Sequence, residues 1–337
     1  MMEVRNDVEI RSQPQRSRYP VPVKLENALP LGYMLHHYRI VKILGGGGFS
    51  IVYLADDTQA QRKVVIKEYL PSSQATRTED ETVESISAET DSPFRQGMRR
   101  FFDEAAALAK LQHPNIVRVT DFFRENNTVY LVMNHEEGTD LRAYLKRQGG
   151  QMSEKFIRTV FLQLLDGLRE IHKLGLLHLD IKPSNIWLRP GGRPLLLDFG
   201  AAQSAFKGNK RVGAHTLTLG FAPLEQHKRG HIGPWTDLYA IGASMWSCMS
   251  GKAPPPALER AERDRFKPAL KQFRRRYSRP LLEAVDWCLQ MNQLERPQNV
   301  DALAAALNQP YTPPDQEPSL LTRFGLKLSG PKKDTGT

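Results

Sequence analysis

Apolar and polar residues alternate through much of the first third of the chain, then recur every three to four positions, so the sequence predicts strands followed by helices. Tyr38 to Leu44 and Phe49 to Leu54 read as two strands around four glycines, and Lys63 to Lys67 as a third. Arg99 to Leu111 carries Phe101, Ala105, Leu108 and Leu111 at helical spacing. Ile116–Arg124 and Thr128–Met133 then read as two strands joined at Asn126-Asn127. Beyond Met133 the period is helical. Ser153 caps a helix with Phe156, Val160, Leu164, Leu168 and Ile171 on one face, stopped by Gly175. Asp237 to Met249 is an apolar helix ending at Gly251, Pro280 opens another, and Val300–Leu307 a fourth.

The expected organisation is a flexible leader over 1–37, a small β-rich part over 38–133 and a larger helical part over 134–309. A proline- and charge-bearing tail follows over 310–337. Residues 71–97, rich in Ser, Thr, Glu and Asp and without periodicity, are expected as an exposed insertion. A chain of 337 residues that is 40% hydrophobic can bury a sizeable core. No apolar stretch reaches membrane-span length and the first residues lack an apolar signal core, which points to the cytoplasm. Cys248 and Cys288 fall in apolar helical patterns, as buried free thiols do.

The formal charge of +10 concentrates at 258–279 in Arg260, Arg263, Arg265, Lys267, Lys271, Arg274, Arg275, Arg276 and Arg279. A solvated helical face and a docking surface for acidic substrates both fit this segment. Nucleic-acid binding lacks the interleaved aromatic platform it would use.

The candidate chemistry lies in His178-Leu179-Asp180-Ile181-Lys182-Pro183-Ser184-Asn185, followed by Asp198-Phe199-Gly200. Each residue alone has an ordinary reading, since Asp and Asn are common in turns. Together they supply a base near an attacking hydroxyl (Asp180), a cation for a transferring phosphate (Lys182) and oxygen ligands for magnesium (Asn185 and Asp198). The glycine run Gly45-Gly46-Gly47-Gly48-Phe49-Ser50-Ile51-Val52 allows backbone to approach phosphate oxygens without a Cβ clash, although a plain hairpin turn also explains it.

From about Tyr38 to about Asn308 the chain resembles eukaryotic-type protein kinases of the bacterial serine/threonine group. The resemblance implies an α+β, bilobal fold that transfers the γ-phosphate of ATP to serine or threonine hydroxyls of proteins, with magnesium, which manganese can replace, and with autophosphorylation. It implies that Leu44, Gly45, Gly46, Gly47, Gly48, Phe49, Ser50 and Val52 cover the nucleotide and that Lys67 contacts its α- and β-phosphates. Met133 then backs the adenine pocket, and the backbone of Asn134, His135 and Glu136 supplies adenine hydrogen bonds. Glu104 is the choice for the carboxylate that holds Lys67, because Phe101 and Leu108 flank it on the packed side of its helix; Asp103 competes, about 100° round. Lys182 two residues after Asp180 marks a serine/threonine rather than a tyrosine kinase. Glu225, in Ala-Pro-Leu-Glu, should pair with Arg296, and Asp237 should brace the catalytic loop, unless it is simply a helix N-cap. By analogy with the family, the resemblance implies signalling that a cognate phosphatase can reverse.

Two departures stand out. Ser50 replaces the third glycine of the loop, and Leu179 replaces the arginine that normally precedes the catalytic aspartate. That arginine pairs with a phosphorylated activation loop, which leucine cannot do, so activity independent of that phosphorylation is expected. Thr218, seven residues before Glu225, takes the place of the family's substrate-loop threonine. A pseudokinase scaffold is the competing reading, and the presence of Lys67, Glu104, Asp180, Asn185 and Asp198 opposes it. A small-molecule kinase is opposed by the Asp-Phe-Gly and Glu225–Arg296 elements. The insertion at 71–97 reads either as a solvated loop or as a site of autophosphorylation.

Overall fold

The computed structural model describes residues 27–198, 203–204, 217–228 and 230–310. The chain forms two compact units, one from the described parts of Met1–Ala106 with Val119–His135, the other from those of Ala107–Arg118 with Glu136–Thr337.

The first unit is built on a six-stranded antiparallel sheet whose strands run β1 (Met34–Leu35), β2 (Tyr38–Gly46), β3 (Ser50–Asp57), β4 (Arg62–Tyr69), and beyond them two later strands. Between β4 and these comes a small hairpin, β5 (Ala75–Arg77) with β6 (Val83–Ser85), and helix α1 (Pro93–Leu108). The sheet is completed by β7 (Val119–Glu125) and β8 (Thr128–Asn134), in the order β1-β2-β3-β4-β8-β7. Asn126 and Asn127, with φ of 50° and 56°, form the two-residue turn between them, the positive-φ geometry that Asn tolerates. On β2 the register slips at Ile43/Gly45, where Gly45 takes φ 153°, a conformation closed to most side chains.

Three expectations are corrected in this unit. The leader is not flexible throughout: Leu29 and Leu35 are fully buried and β1 pairs with β2. The stretch 71–97 is folded, because Ala75, Val83 and Phe94 bury apolar side chains and a two-stranded ladder satisfies the backbone. Helix α1 starts at Pro93 rather than Arg99, since Ser92 caps it by accepting from Arg95 N at 3.4 Å and proline suits the first helical position. Tyr69 stacks on Phe94 and tilts against Phe101, fastening α1 to β4.

The second unit is mainly helical, with β9 (Thr139–Asp140), α2 (Leu141–Arg147), α3 (Glu154–Lys173) and β10 (Leu176–Leu177) leading into residues 178–185. There follow β11 (Ile186–Arg189), β12 (Arg193–Leu196), β13 (Gln203–Ser204), α4 (Leu224–His227) and α5 (Pro234–Ser250). α6 (Ala257–Glu262), α7 (Ala269–Phe273), α8 (Arg279–Cys288) and α9 (Val300–Leu307) complete it. Ser153 caps α3 by accepting from Phe156 N at 3.2 Å, and α5 ends on Gly251 in the left-handed conformation, φ 79°. Helix α5 is buried from Thr236 to Met249 and forms the spine of this unit. Each large apolar side chain it buries contributes about 1.5–3 kcal/mol. Residues 107–118 belong here: Asn115 Nδ2 donates to Pro194 O at 2.8 Å and Val117 N to Leu196 O at 3.0 Å, fixing the β11–β12 hairpin. Cys248 and Cys288 are buried free thiols, and no described helix is long and apolar enough to cross a membrane.

Candidate active site

Residues 178–185 are held from beneath by Asp237. Its Oδ1 accepts from Leu179 N at 2.8 Å and its Oδ2 from His178 N at 2.9 Å, while His172 Nε2 lies 2.8 Å from Oδ2. Burial alone would raise the Asp237 carboxyl, but the His172 hydrogen bond, the two histidines and the backbone N–H groups together hold it below the ordinary carboxylate range. Asp237 sits inside α5, which begins at Pro234, so it is a brace and not an N-cap. His178 is fully buried, and burial depresses its imidazole despite the opposing fields of Asp237, Asp180 and Asp198.

This bracing holds Leu179 in the left-handed region, φ 63°. That conformation costs a non-glycine residue roughly 1–2 kcal/mol and persists where surrounding contacts impose it. The Leu179 carbonyl is held as well, accepting from Gln226 Nε2 at 2.9 Å. Both backbone polar atoms of the residue before Asp180 are therefore fixed, and the Leu179 side chain is buried.

Four predicted functional side chains meet at this loop. Lys182 Nζ lies 2.9 and 2.8 Å from the two Asp180 carboxylate oxygens and 2.9 Å from Thr218 Oγ1. The Thr218 hydroxyl donates to Asp180 Oδ1 at 3.0 Å. Asn185 Nδ2 donates to the Asp180 carbonyl at 2.8 Å and to Asp180 Oδ2 at 3.0 Å. Asp180 and Lys182 remain about one-quarter exposed, so a substrate can reach them.

With the Asn185 amide hydrogens committed to Asp180, its carbonyl Oδ1 is the atom able to serve a cation. Leu197 N donates to Asn185 O at 2.9 Å, which carries the chain past Asn185 into Asp198, itself in the left-handed conformation at φ 62°. One carboxylate and one amide oxygen suit magnesium, which keeps water and takes phosphate oxygens. Among the described residues no group of three or more His, Cys, Asp or Glu could hold a metal unaided, so a dication here needs those further oxygens. Phe199, Gly200 and Thr216 lie outside the described residues, as does most of the 200–225 segment before Thr218.

In the first unit most of the predicted nucleotide-binding residues lie on the inner strands β2, β3, β4 and β8 and in the turn between β2 and β3. Lys67 is buried on β4 opposite Val52 of β3, and the glycine turn joins β2 to β3. Ideal side-chain positions at Gly47 and Gly48 meet nothing within 4 Å, open space of the kind a phosphate requires. The turn is anchored, since Leu70 N donates to Phe49 O and Ser72 N to Gly48 O, both at 3.0 Å. Glu104 is half-buried whereas Asp103 is exposed. Burial pushes the Tyr69 phenol on β4 up to about 12, while Arg100 opposes the rise and the Glu104 carboxylate adds to it. Met133 is buried on β8, Asn134 Oδ1 accepts from Arg62 at 3.1 Å, and Glu136 lies in the other unit, 3.9 Å from Arg189. Leu44, Gly45, Gly46 and Ser50 line the strand ends beside the turn.

Glu225 and Arg296 form the expected pair, buried and bidentate at 2.6 and 3.2 Å, with Thr236 Oγ1 donating to Glu225 at 3.1 Å. Sequence reasoning missed Gln226 and His172. Gln226 directly follows the paired Glu225, and His172 stands six residues before His178, so both had a positional cue but no chemical one. It also missed the buried network around Glu68, next to Lys67. Tyr53 and Tyr130 hydroxyls and the Arg77 guanidinium all converge on the Glu68 carboxylate, at 2.7, 2.6 and 2.5 Å.

A family model described as the protein kinase domain matches residues 38–312. Among curated proteins, the chain is 32% identical over 230 residues to the serine/threonine-protein kinase PknA of Nostoc sp., covering 65% of this chain and 38% of that protein. It is 30% identical over 294 residues to the serine/threonine-protein kinase F of Synechocystis sp., covering 80% of this chain and 54% of that protein. It thus spans about half or less of the length of these relatives. A solved structure titled "PpkA-294 apo form" superposes with a TM-score of 0.72 at 36% identity, covering 84% of this chain and all of that one.

Proposed function

The chain belongs to the protein kinase family, and from that premise we propose that it is a serine/threonine protein kinase that moves the γ-phosphate of ATP to protein hydroxyls. The observation that carries this reading is the Asp180 cluster, where a carboxylate accepts a threonine-type hydroxyl at 3.0 Å beside an ammonium 2.9 Å from the same oxygen. A substrate serine or threonine hydroxyl arriving there meets a proton acceptor, and Lys182 offers the charge that a transferring phosphoryl group needs.

Glycine-turn backbone and Lys67 would hold the nucleotide phosphates, with Glu104 orienting Lys67, and Met133 to Glu136 would contact the adenine. Asn185 and Asp198 would hold magnesium, which neutralises phosphate charge when bound. Asp237, through the N–H groups of His178 and Leu179, holds the backbone that leads into Asp180. A scaffold that binds nucleotide without turnover would have no use for Asp180 and Lys182 in this arrangement. The substrates are proteins and the setting the cytoplasm, with a phosphatase to reverse the signal. The test is transfer of labelled phosphate from ATP to matched peptides bearing serine, threonine or tyrosine. Label on serine and threonine with none on tyrosine supports the reading; no label on any peptide at any magnesium concentration overturns it.

A further inference from the structure

The basic segment is not an ordinary solvated face. Arg260 is withdrawn into the core on Asp264 and Leu289 O, and Arg279 pairs with Glu283 at 2.6 Å. Arg263, Arg265, Lys267, Lys271, Arg274 and Arg275, on and around α7, are all exposed, and none makes an ion pair among the described residues. Other surface cations do: Arg39 and Lys63 share Asp56, Arg169 holds Asp166 and Asp301, and Lys173 holds Glu170. Between 263 and 276 seven Lys and Arg stand against one Asp. Such a single-sign patch repels itself, and a partner of opposite charge relieves it.

The same chain carries a complementary surface. Residues 79–91 hold six Asp and Glu and no Lys or Arg. Glu81 approaches Arg77 at 3.7 Å and Asp91 approaches Arg99 at 3.5 Å, whereas Glu79, Glu84 and Glu89 are exposed without a cation among the described residues. Most hydroxyls of this segment are engaged: Thr78 and Thr82 with Asp80, and Ser85 with Ser92. The Thr90 hydroxyl is exposed, and the Ser87 hydroxyl only accepts a weak bond from Glu89 N at 3.3 Å.

We infer that the basic surface around α7 docks the acidic 79–91 segment of a second copy and delivers Ser87 or Thr90 for phosphorylation. This rests on the kinase reading above and names a substrate for it. In the step, the acceptor Oγ bonds to the γ-phosphorus of ATP held by the donor copy. The bond from that phosphorus to the β,γ-bridging oxygen breaks, ADP leaves, and the hydroxyl proton passes to the donor's Asp180.

The experiment mixes the active chain with a full-length, size-tagged Asp180→Ala copy as acceptor and follows label into the acceptor. Lysine at Glu79, Glu84 and Glu89 of the acceptor, or glutamate at Arg263, Lys267, Lys271 and Arg274 of the donor, should lower acceptor labelling roughly tenfold. Combining the two reversed partners should restore it, and raised salt should weaken transfer between unaltered copies. Turnover of an uncharged serine peptide by the reversed donor should not change, which shows that the donor is folded. Loss of peptide turnover in the unaltered chain would strike the kinase reading itself. With peptide turnover intact, acceptor labelling indifferent to both reversals overturns the docking proposal. So does phosphate found only outside 79–91, or label confined to the active copy at all dilutions.

Discussion

Arg77, in the hairpin that precedes α1, donates to Glu68 at 2.5 Å, and Glu68 is the residue after Lys67 on β4. The Glu68 carboxylate is fully buried and the Arg77 side chain 2% exposed. Burial would depress the guanidinium, yet the facing carboxylate raises it above its ordinary value. Arg77 also donates to Asn27 O and Glu81 O, so one side chain ties leader, hairpin and sheet together.

Removing one partner of such a pair strands the other charge in the core. Arg77→Met should cost about 3–5 kcal/mol of unfolding free energy, and the double variant Arg77→Met with Glu68→Gln should lose less than the single one. Denaturant titration reads both, and a double variant as unstable as the single would show that the pair is not the source of the loss.

Gln226 fixes the carbonyl of Leu179, the residue just before Asp180. Gln226→Ala removes its bond to the Leu179 carbonyl and should lower kcat about two- to tenfold with little change in the KM for ATP. Because Leu179 cannot pair with a phosphate, treating the protein with phosphatase should leave turnover unchanged. A large fall after phosphatase treatment would contradict this account.

Metal dependence should follow the two oxygen donors. Asn185→Ala should raise the magnesium concentration for half-maximal turnover, and Asp198→Asn should abolish transfer while the fold persists. Chelation of divalent cations should stop transfer by the native chain, and readdition should restore it. Unaltered magnesium dependence in Asn185→Ala would remove that residue from the metal site.

His178 and Asp237 both bind protons less readily folded than unfolded. Their stabilisation is therefore complete above their unfolded values, 6.5 and 3.8, and is lost as pH falls toward the depressed folded values. Between pH 7.5 and 5.5 the histidine dominates this loss. The thermal midpoint should fall over that window, and fall less in His178→Gln; parallel curves would rule out His178 as the source.

Much of this architecture was legible because its signals are local. Ser153, Gly251 and the Asn126-Asn127 turn are conformational requirements written at single positions. Glu225 with Arg296 and Asp237 under residue 178 came from ordered motifs. The 71–97 stretch was misread because Arg77 and Ser92 look like surface residues. Only the tertiary fold shows that one answers a buried carboxylate and the other caps a helix. Gln226 and His172 were silent for the same reason, their roles being contacts to backbone and carboxylate far away in sequence.

The most direct test concerns Asp180. Asp180→Ala should lower phosphate transfer to a serine peptide by about 10²–10⁴ while ATP binding, read by calorimetry, stays close to that of the native chain. Transfer retained at native rates in this variant would contradict the account at its centre.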